Sequence, residues 1–314
     1  MNEKNRKKVL LALDGSDRAF EVVRYVARVA LFKEARLRLF SVYEGVPSYY
    51  NDIDSKDPAF NSAFREVYAW EADQKKRLNA GMDRARTHLL EAGFAPERIE
   101  TVVQKRKVGI ARDILKESEN GYSAVLIGRK GESMLKGVLF GSIAAKLIGR
   151  IAHVPLCVVG RDIPVTGKIL LALDSSENAM RAVTFMGEHL AGQGIAIELF
   201  HVIRGRQDDI PVELLDVLRP NERQEQIERE MVKVFDRAKS RLVEAGFAPD
   251  QIVTKIVTGR RSRANNIVRE AEEGEFGTIV MGRRGLSRVQ DFFMGRVSDK
   301  VLQMSRFRAV WLAS

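Results

Sequence analysis

The residues best suited to chemistry are three glycines and a serine: Gly128-Arg129-Lys130-Gly131, nine intervening residues, then Gly141-Ser142. Glycines let a backbone take positive φ and come close to a ligand, and the amides that open a helix carry partial positive charge that favours phosphate. Ser142 adds a hydroxyl donor. Three or four such amides at roughly 1.5–3 kcal/mol each give about 5–12 kcal/mol before ordering costs, enough for a micromolar nucleotide site. The skeleton recurs as Gly282, Gly285 and Gly295, but there Arg296 follows the last glycine.

Other chemistry finds less support. The chain holds neither a Walker A loop nor G-x-G-x-x-G, so P-loop hydrolysis and dinucleotide redox chemistry have no motif. His88, His153, His189 and His201 lack metal-ligand spacing. Asp14-Gly15-Ser16 has no nucleophile elbow around it and reads as a strand-end turn, with Ser16 or Asp17 capping the next helix. Cys157 lies in an apolar run and reads as a buried small residue. Basic clusters at Lys4 to Lys8, Lys75 to Arg77 and Lys105 to Lys107 read as solvated faces, because no aromatics interleave with them as nucleic-acid stacking requires. Arg260-Arg261-Ser262-Arg263 is different: it follows Gly259 on the expected ligand side and suits an anion.

What positions these residues is a duplicated domain. Leu10-Leu11-Ala12-Leu13-Asp14-Gly15-Ser16 returns as Leu170-Leu171-Ala172-Leu173-Asp174-Ser175-Ser176, and Leu39-Phe40-Ser41-Val42 as Leu199-Phe200-His201-Val202. Glu91 to Pro96 returns as Glu244 to Pro249, and Val125 to Gly131 as Ile279 to Gly285. The order is kept while the offset drifts from 160 to 153–154, so two copies differ in loop length. The repeats are set at residues 1–160 and 167–314, joined by a linker containing Pro164.

Within the first copy, apolar runs at 8–13, 36–42, 100–103, 123–127 and 155–159 are strand-length, and helical segments fall at 18–32, 59–92, 109–118 and 142–150. No element is assigned to Glu44 through Pro58. This alternation predicts the α/β class: two tandem doubly wound domains, each a five-stranded parallel sheet of order 3-2-1-4-5 with helices on both faces. Ligands of such sheets sit at the carboxyl ends of strands one and four, where Asp14 and Gly128 fall.

The whole pattern resembles the universal stress protein family in its tandem form, whose nucleotide motif is G-x2-G-x9-G-[S/T]. The resemblance implies a site for ATP, or AMP or ADP, in repeat one. Gly128, Gly131, Gly141 and Ser142 hold the phosphates, Asp14 contacts the ribose and phosphate region with Mg²⁺ nearby, and Val42 and Ile127 line the adenine. The matching positions of repeat two are Asp174, Val202, Met281, Gly282, Gly285, Gly295 and Arg296. There Arg296 either binds phosphate or fills the pocket, and the expectation is a weakened or occluded second site.

The net charge of +10 lies mainly in residues 1–160, with 28 basic and 20 acidic side chains, against 24 and 22 beyond them. It permits acidic partners, and adenine nucleotide is the one the motif favours over nucleic acid. The single cysteine and the absence of a long apolar stretch lead to the expectation of a cytoplasmic protein without membrane insertion. The expected role is stress-response regulation through an unidentified protein partner, with ATP hydrolysis weak at most. Its rival is a non-nucleotide interaction scaffold, the repeats forming an internal pseudo-dimer that binds another anion or a hydrophobic ligand. Further homodimerisation is compatible with both.

Overall fold

The computed structural model describes residues 7–29, 32–46, 58–129, 140–204, 220–259, 262–284 and 294–313. Gly131, Gly285, Arg260, Arg261 and most of the unassigned stretch between Glu44 and Pro58 lie outside the described residues. The chain divides into two compact units, Met1–Ile151 and Ala152–Ser314.

The first unit runs β1 (Lys8–Ala12), α1 (Phe20–Arg28), β2 (Arg36–Tyr43), α2 (Pro58–Glu91), β3 (Ile99–Lys105), α3 (Ile110–Ser118), β4 (Ala124–Gly128) and α4 (Ser142–Arg150). Its strands lie in the order β3-β2-β1-β4, all parallel. Successive strand residues face opposite sides, and Val9, Leu10 and Leu11 are all buried, so both faces of β1 must be covered. The cover is two helix pairs, α1 against α2 and α3 against α4.

The second unit contains β5 (Leu156–Val159), β6 (Lys168–Ala172), α5 (Glu177–Leu190), β7 (Ala196–Arg204), α6 (Pro220–Glu244), β8 (Ile252–Gly259), α7 (Arg263–Glu273), β9 (Thr278–Gly282), α8 (Arg296–Met304) and β10 (Ala309–Ala313). Its parallel strands run β8-β7-β6-β9-β10. Strand β5, which the sequence reading places at the end of repeat one, pairs antiparallel with β10, Leu156 opposite Leu312 and Val159 opposite Ala309. That ladder is why β5 clusters with the second unit.

In both units the strand that opens the sheet has its second strand on one side and its fourth on the other: Val9 opposes Leu37 and Ala124, and Ile169 opposes Ile197 and Thr278. Chain direction across the sheet reverses at that seam, leaving a crevice at the carboxyl ends of the two central strands.

Candidate functional site

One wall of the first crevice is the turn after β1. Gly15 takes φ +76°, a conformation that favours glycine. The turn is held by Asp14, whose Oδ1 accepts the Ser16 N–H at 3.1 Å and the Ser16 hydroxyl at 2.6 Å, while Ser16 Oγ accepts the Ala19 N–H at 3.1 Å. Helix α2 packs directly on this turn, since a Cβ at Gly81 would stand 2.9 Å from Gly15 Cα. Val42 and Ile127 are buried near the ends of β2 and β4, and Asp14 is exposed.

Opposite this turn, the end of β4 and the start of α4 are tied together: Gly141 N–H donates to the Arg129 carbonyl at 2.9 Å, and the Arg129 guanidinium lies 4.5 Å from the Phe140 ring centroid. Gly141 then serves as N-cap of α4 at φ −65° and ψ 155°, with no side-chain capping bond. The first helical amides have no acceptor within the helix. Ser142 is exposed as its first residue. Gly141 and Gly295, at φ −65° and −70°, do not use the positive φ that glycine permits and adopt backbone open to any residue. What glycine contributes there is the missing side chain, because serine or aspartate at this position would cap the helix itself.

The second crevice repeats this frame. Asp174 accepts the Ser176 N–H at 3.0 Å and Ser176 caps α5 by accepting from Ala179 N–H at 3.2 Å. Gly295 N–H donates to the Arg283 carbonyl at 2.9 Å, and Gly295 caps α8 without a side-chain bond. Gly282 has a packing reason: a Cβ there would meet the Asn178 backbone carbon at 2.9 Å. Asp174, Val202, Met281, Gly282, Gly295 and Arg296 all line one cavity of about 960 Å³. Arg296 does not fill it. As the first residue of α8 it is exposed and lines the wall of the cavity.

Several contributors escaped the motif reading. His201, Arg263, Arg284 and Lys300 line the same cavity, with Ile227, Glu230 and Met231 from α6 on its flank. The signal for His201 was its place opposite Ser41 in the duplicated strand, and for Arg263 the basic cluster after Gly259. His201 Nδ1 lies 2.7 Å from the Leu173 carbonyl, an acceptor only, so the ring donates there and Nε2 is the acceptor. Burial pushes its pKa below the ordinary histidine value, opposed by the Leu173 bond, so the ring is neutral at physiological pH. Arg283 is buried, and burial, then the charge of Arg284, pushes its pKa down to about 10, still cationic at neutrality.

Elsewhere the residues behave as packing predicts. Cys157 is wholly buried in β5, and burial raises its thiol pKa, leaving no thiolate at neutral pH. Basic side chains outside the crevice pair locally: Arg77 with Asp73 at 2.8 Å, Arg84 with Asp17 at 2.8 Å, Lys105 with Glu71 at 3.2 Å, and Arg106 with Glu44. Among the described residues no helix is long and apolar enough to cross a membrane. No group of three or more His, Cys, Asp or Glu among them is placed to hold a metal ion.

The class that the fold and its crevices define is a tandem, doubly wound α/β protein with a glycine-capped helix at each crevice. The profile of the universal stress protein family matches residues 5–160 and again 166–307, so the chain belongs to that family. It is 24% identical over 221 residues to the universal stress protein Slr1230 of Synechocystis, covering 70% of this chain and 66% of that protein, just under two thirds of its length. Universal stress protein YxiE of Bacillus subtilis is 28% identical over 150 residues, 44% of this chain and 93% of its own. Among solved structures, a universal stress protein from Archaeoglobus fulgidus superposes with a TM-score of 0.63 at 20% identity, covering 99% of both chains, which supports the fold.

Proposed function

We infer that repeat one, residues 1–160, binds ATP or a related adenine nucleotide and that the protein acts as a cytoplasmic stress-response regulatory module. The observation that carries this reading is the α4 N-terminus: a glycine cap without side-chain bond at the seam that also holds Asp14. The phosphates would lie on Gly128, Gly131, Gly141 and the Ser142 hydroxyl, the ribose against Asp14, and the adenine against Val42 and Ile127. Mg²⁺ would enter with the phosphates, beside Asp14, and neutralise part of their charge. The residues fit such a ligand because donors meet the anionic end and buried aliphatic side chains the base. The second repeat, residues 167–314, carries the same frame with different charge.

Gly141→Asp tests this reading. The backbone at 141 accepts aspartate, whose carboxylate would occupy the first-turn amides and repel phosphate. Calorimetry on the full chain with ATP and Mg²⁺ should show binding in the unsubstituted protein and a loss of about 100-fold or more at the first site in the variant, which should melt no lower. No binding by the unsubstituted protein, or no change on substitution, would end the proposal.

A further inference from the structure

The two repeats differ in the turn that leads into their last strand. Repeat one reads Arg150-Ile151-Ala152-His153-Val154 there, and repeat two reads Met304-Ser305-Arg306-Phe307-Arg308. Met304 and Phe307 are 37% and 42% exposed, and Arg306 is exposed between them in sequence. The end of β5 lies against this turn, Gly160 N–H donating to the Arg308 carbonyl at 3.1 Å and Arg161 N–H to the Arg306 carbonyl at 3.0 Å. Glycine at 160 permits that approach, since a Cβ there would stand 2.4 Å from the Arg306 carbonyl oxygen. The contact brings the Arg161 guanidinium to 4.8 Å from the Phe307 ring centroid. Arg308 braces the turn, Nη1 donating to the Phe307 carbonyl at 2.8 Å and Nη2 to that of Ala271 at 3.3 Å.

Aromatic residues, Met and Arg are the types enriched at the centres of protein interfaces, whereas a single exposed apolar side chain occurs on any surface. Here Met304, Arg306, Phe307 and Arg161 stand together on backbone that hydrogen bonds already hold, so docking would cost little ordering. Charge selects the occupant. Among the described residues neither Arg161 nor Arg306 pairs with a carboxylate, while Arg308 feels the charges of Glu272 and Glu275. Two exposed guanidinium groups beside one ring suit carboxylates that flank an apolar side chain. Nucleic acid suits the surface less, because a strand needs a continuous cationic track and successive stacking rings. Phe307 is the one exposed Phe, Tyr or Trp among the described residues of the second unit, and Asp162, Glu272 and Glu275 interrupt the positive charge around it.

We propose that the surface formed by Arg161, Met304, Arg306 and Phe307 docks an acidic segment of a partner protein, Phe307 and Met304 meeting an apolar side chain and the two arginines its flanking carboxylates. A guanidinium stacked on a ring keeps its in-plane N–H donors for carboxylate oxygens. Repeat one, with Ala152 and His153 at the places of Arg306 and Phe307, lacks the site. The proposal stands on these side chains and requires no nucleotide in either crevice.

The test is selection from a random twelve-residue peptide library on the immobilised full chain, with counter-selection on the chain carrying Phe307→Ser. Enriched peptides should carry two or more Asp or Glu within four residues of an aromatic or large aliphatic side chain. The most enriched peptide, labelled with fluorescein, should bind the free chain with a Kd of about 10–100 μM, as a small and transient interface does, and more weakly at high salt. Phe307→Ala should weaken it about ten-fold or more and Arg161→Gln with Arg306→Gln about five-fold or more, while Phe307→Tyr retains it. These side chains are exposed, so each variant should melt within about 2 °C of its parent, which separates lost contact from lost fold. Gly141→Asp should leave the peptide affinity unchanged, so this proposal and the repeat-one reading fail separately. No enrichment, enriched peptides without acids, or an affinity indifferent to the two arginines overturns the proposal. Displacement of the peptide by an equal concentration of twelve-nucleotide oligothymidylate overturns it in favour of nucleic acid, and self-association that Phe307→Ala abolishes in sedimentation overturns it in favour of a second copy of the chain.

Discussion

The two crevices share a skeleton and differ in what hangs on it. Each has a strand-end aspartate bonded to the amide two residues on, a loop closed by a glycine N–H on an arginine carbonyl, and a glycine cap without side chain. Those features are set by backbone hydrogen bonds and have survived duplication together. The side chains around them have not. Ser41 in β2 is fully buried, whereas His201 at the same place in β7 reaches the Leu173 carbonyl and lines the cavity. Duplication conserves the frame because its bonds are mutually dependent, whereas a residue at the cavity wall answers only to what occupies the cavity.

The comparison separates two kinds of glycine, and the largest expected effect tests that separation. Gly282 lies against the backbone of α5, so Gly282→Ala forces either β9 or the first turn of α5 to move and should destabilise unit two by roughly 1–3 kcal/mol. Gly295→Ala needs no unusual backbone conformation at φ −70° and, as an N-cap substitution, should cost about 0.5–1 kcal/mol. Urea denaturation of the two variants measures both. Equal losses would mean that the helix cap is also a packing position, and the ligand argument for its missing side chain would fail.

Transplanting charge sharpens the comparison further. Ser142→Arg together with Ile110→Arg gives the first crevice the two helix-opening arginines of the second. Two added guanidinium groups at a partly exposed site should improve the preference for ATP over AMP by about ten-fold, or about 1.4 kcal/mol. The measurement is the ratio of the two affinities at the first crevice. An unchanged ratio would show that residues outside the helix starts set the selectivity.

Much of this architecture was legible in the sequence because repeats constrain each other. The offset of 160 residues fixed both β1 and β6, and continuous apolar runs such as Val9 to Leu13 marked strands covered on both faces. Helix limits fell within a residue for α2, α3 and α4. Helix α1 is shorter than its amphipathic pattern, spanning Phe20–Arg28, because the turn held by Asp14 and Ser16 uses the residues before it. The pairing of β5 with β10 was not legible, since a strand's apolar pattern says that it is buried and nothing about which neighbour it chooses. Nor was the exposure of Arg296 readable from its type: a long side chain at a helix start turns inward or outward according to space that only coordinates define.

The smallest effect lies away from the crevices, where the repeats invert the charge of one position. Arg38, third in β2, bridges Glu100 at 2.6 Å and Glu117 at 3.0 Å, so a cation sits between two acids. Glu198, third in β7, instead faces Glu270, which is already paired with Lys255 at 2.7 Å. Burial raises the Glu198 pKa and the Glu270 charge raises it further, with Lys255 opposing. A carboxyl whose pKa is higher folded than unfolded binds its proton more tightly in the native state, so its ionisation opposes folding above the folded pKa and ceases to matter below the unfolded one. Glu198→Gln removes that opposition, and its amide can donate to Glu270. The expected result is a melting temperature higher by roughly 1–3 °C at pH 7, shrinking toward zero as the pH is lowered through the carboxylate range. Arg38→Gln should do the reverse, lowering stability at pH 7 by leaving Glu117 and Glu100 facing each other; if both variants shift in the same direction, the inversion of charge between the repeats has no energetic meaning.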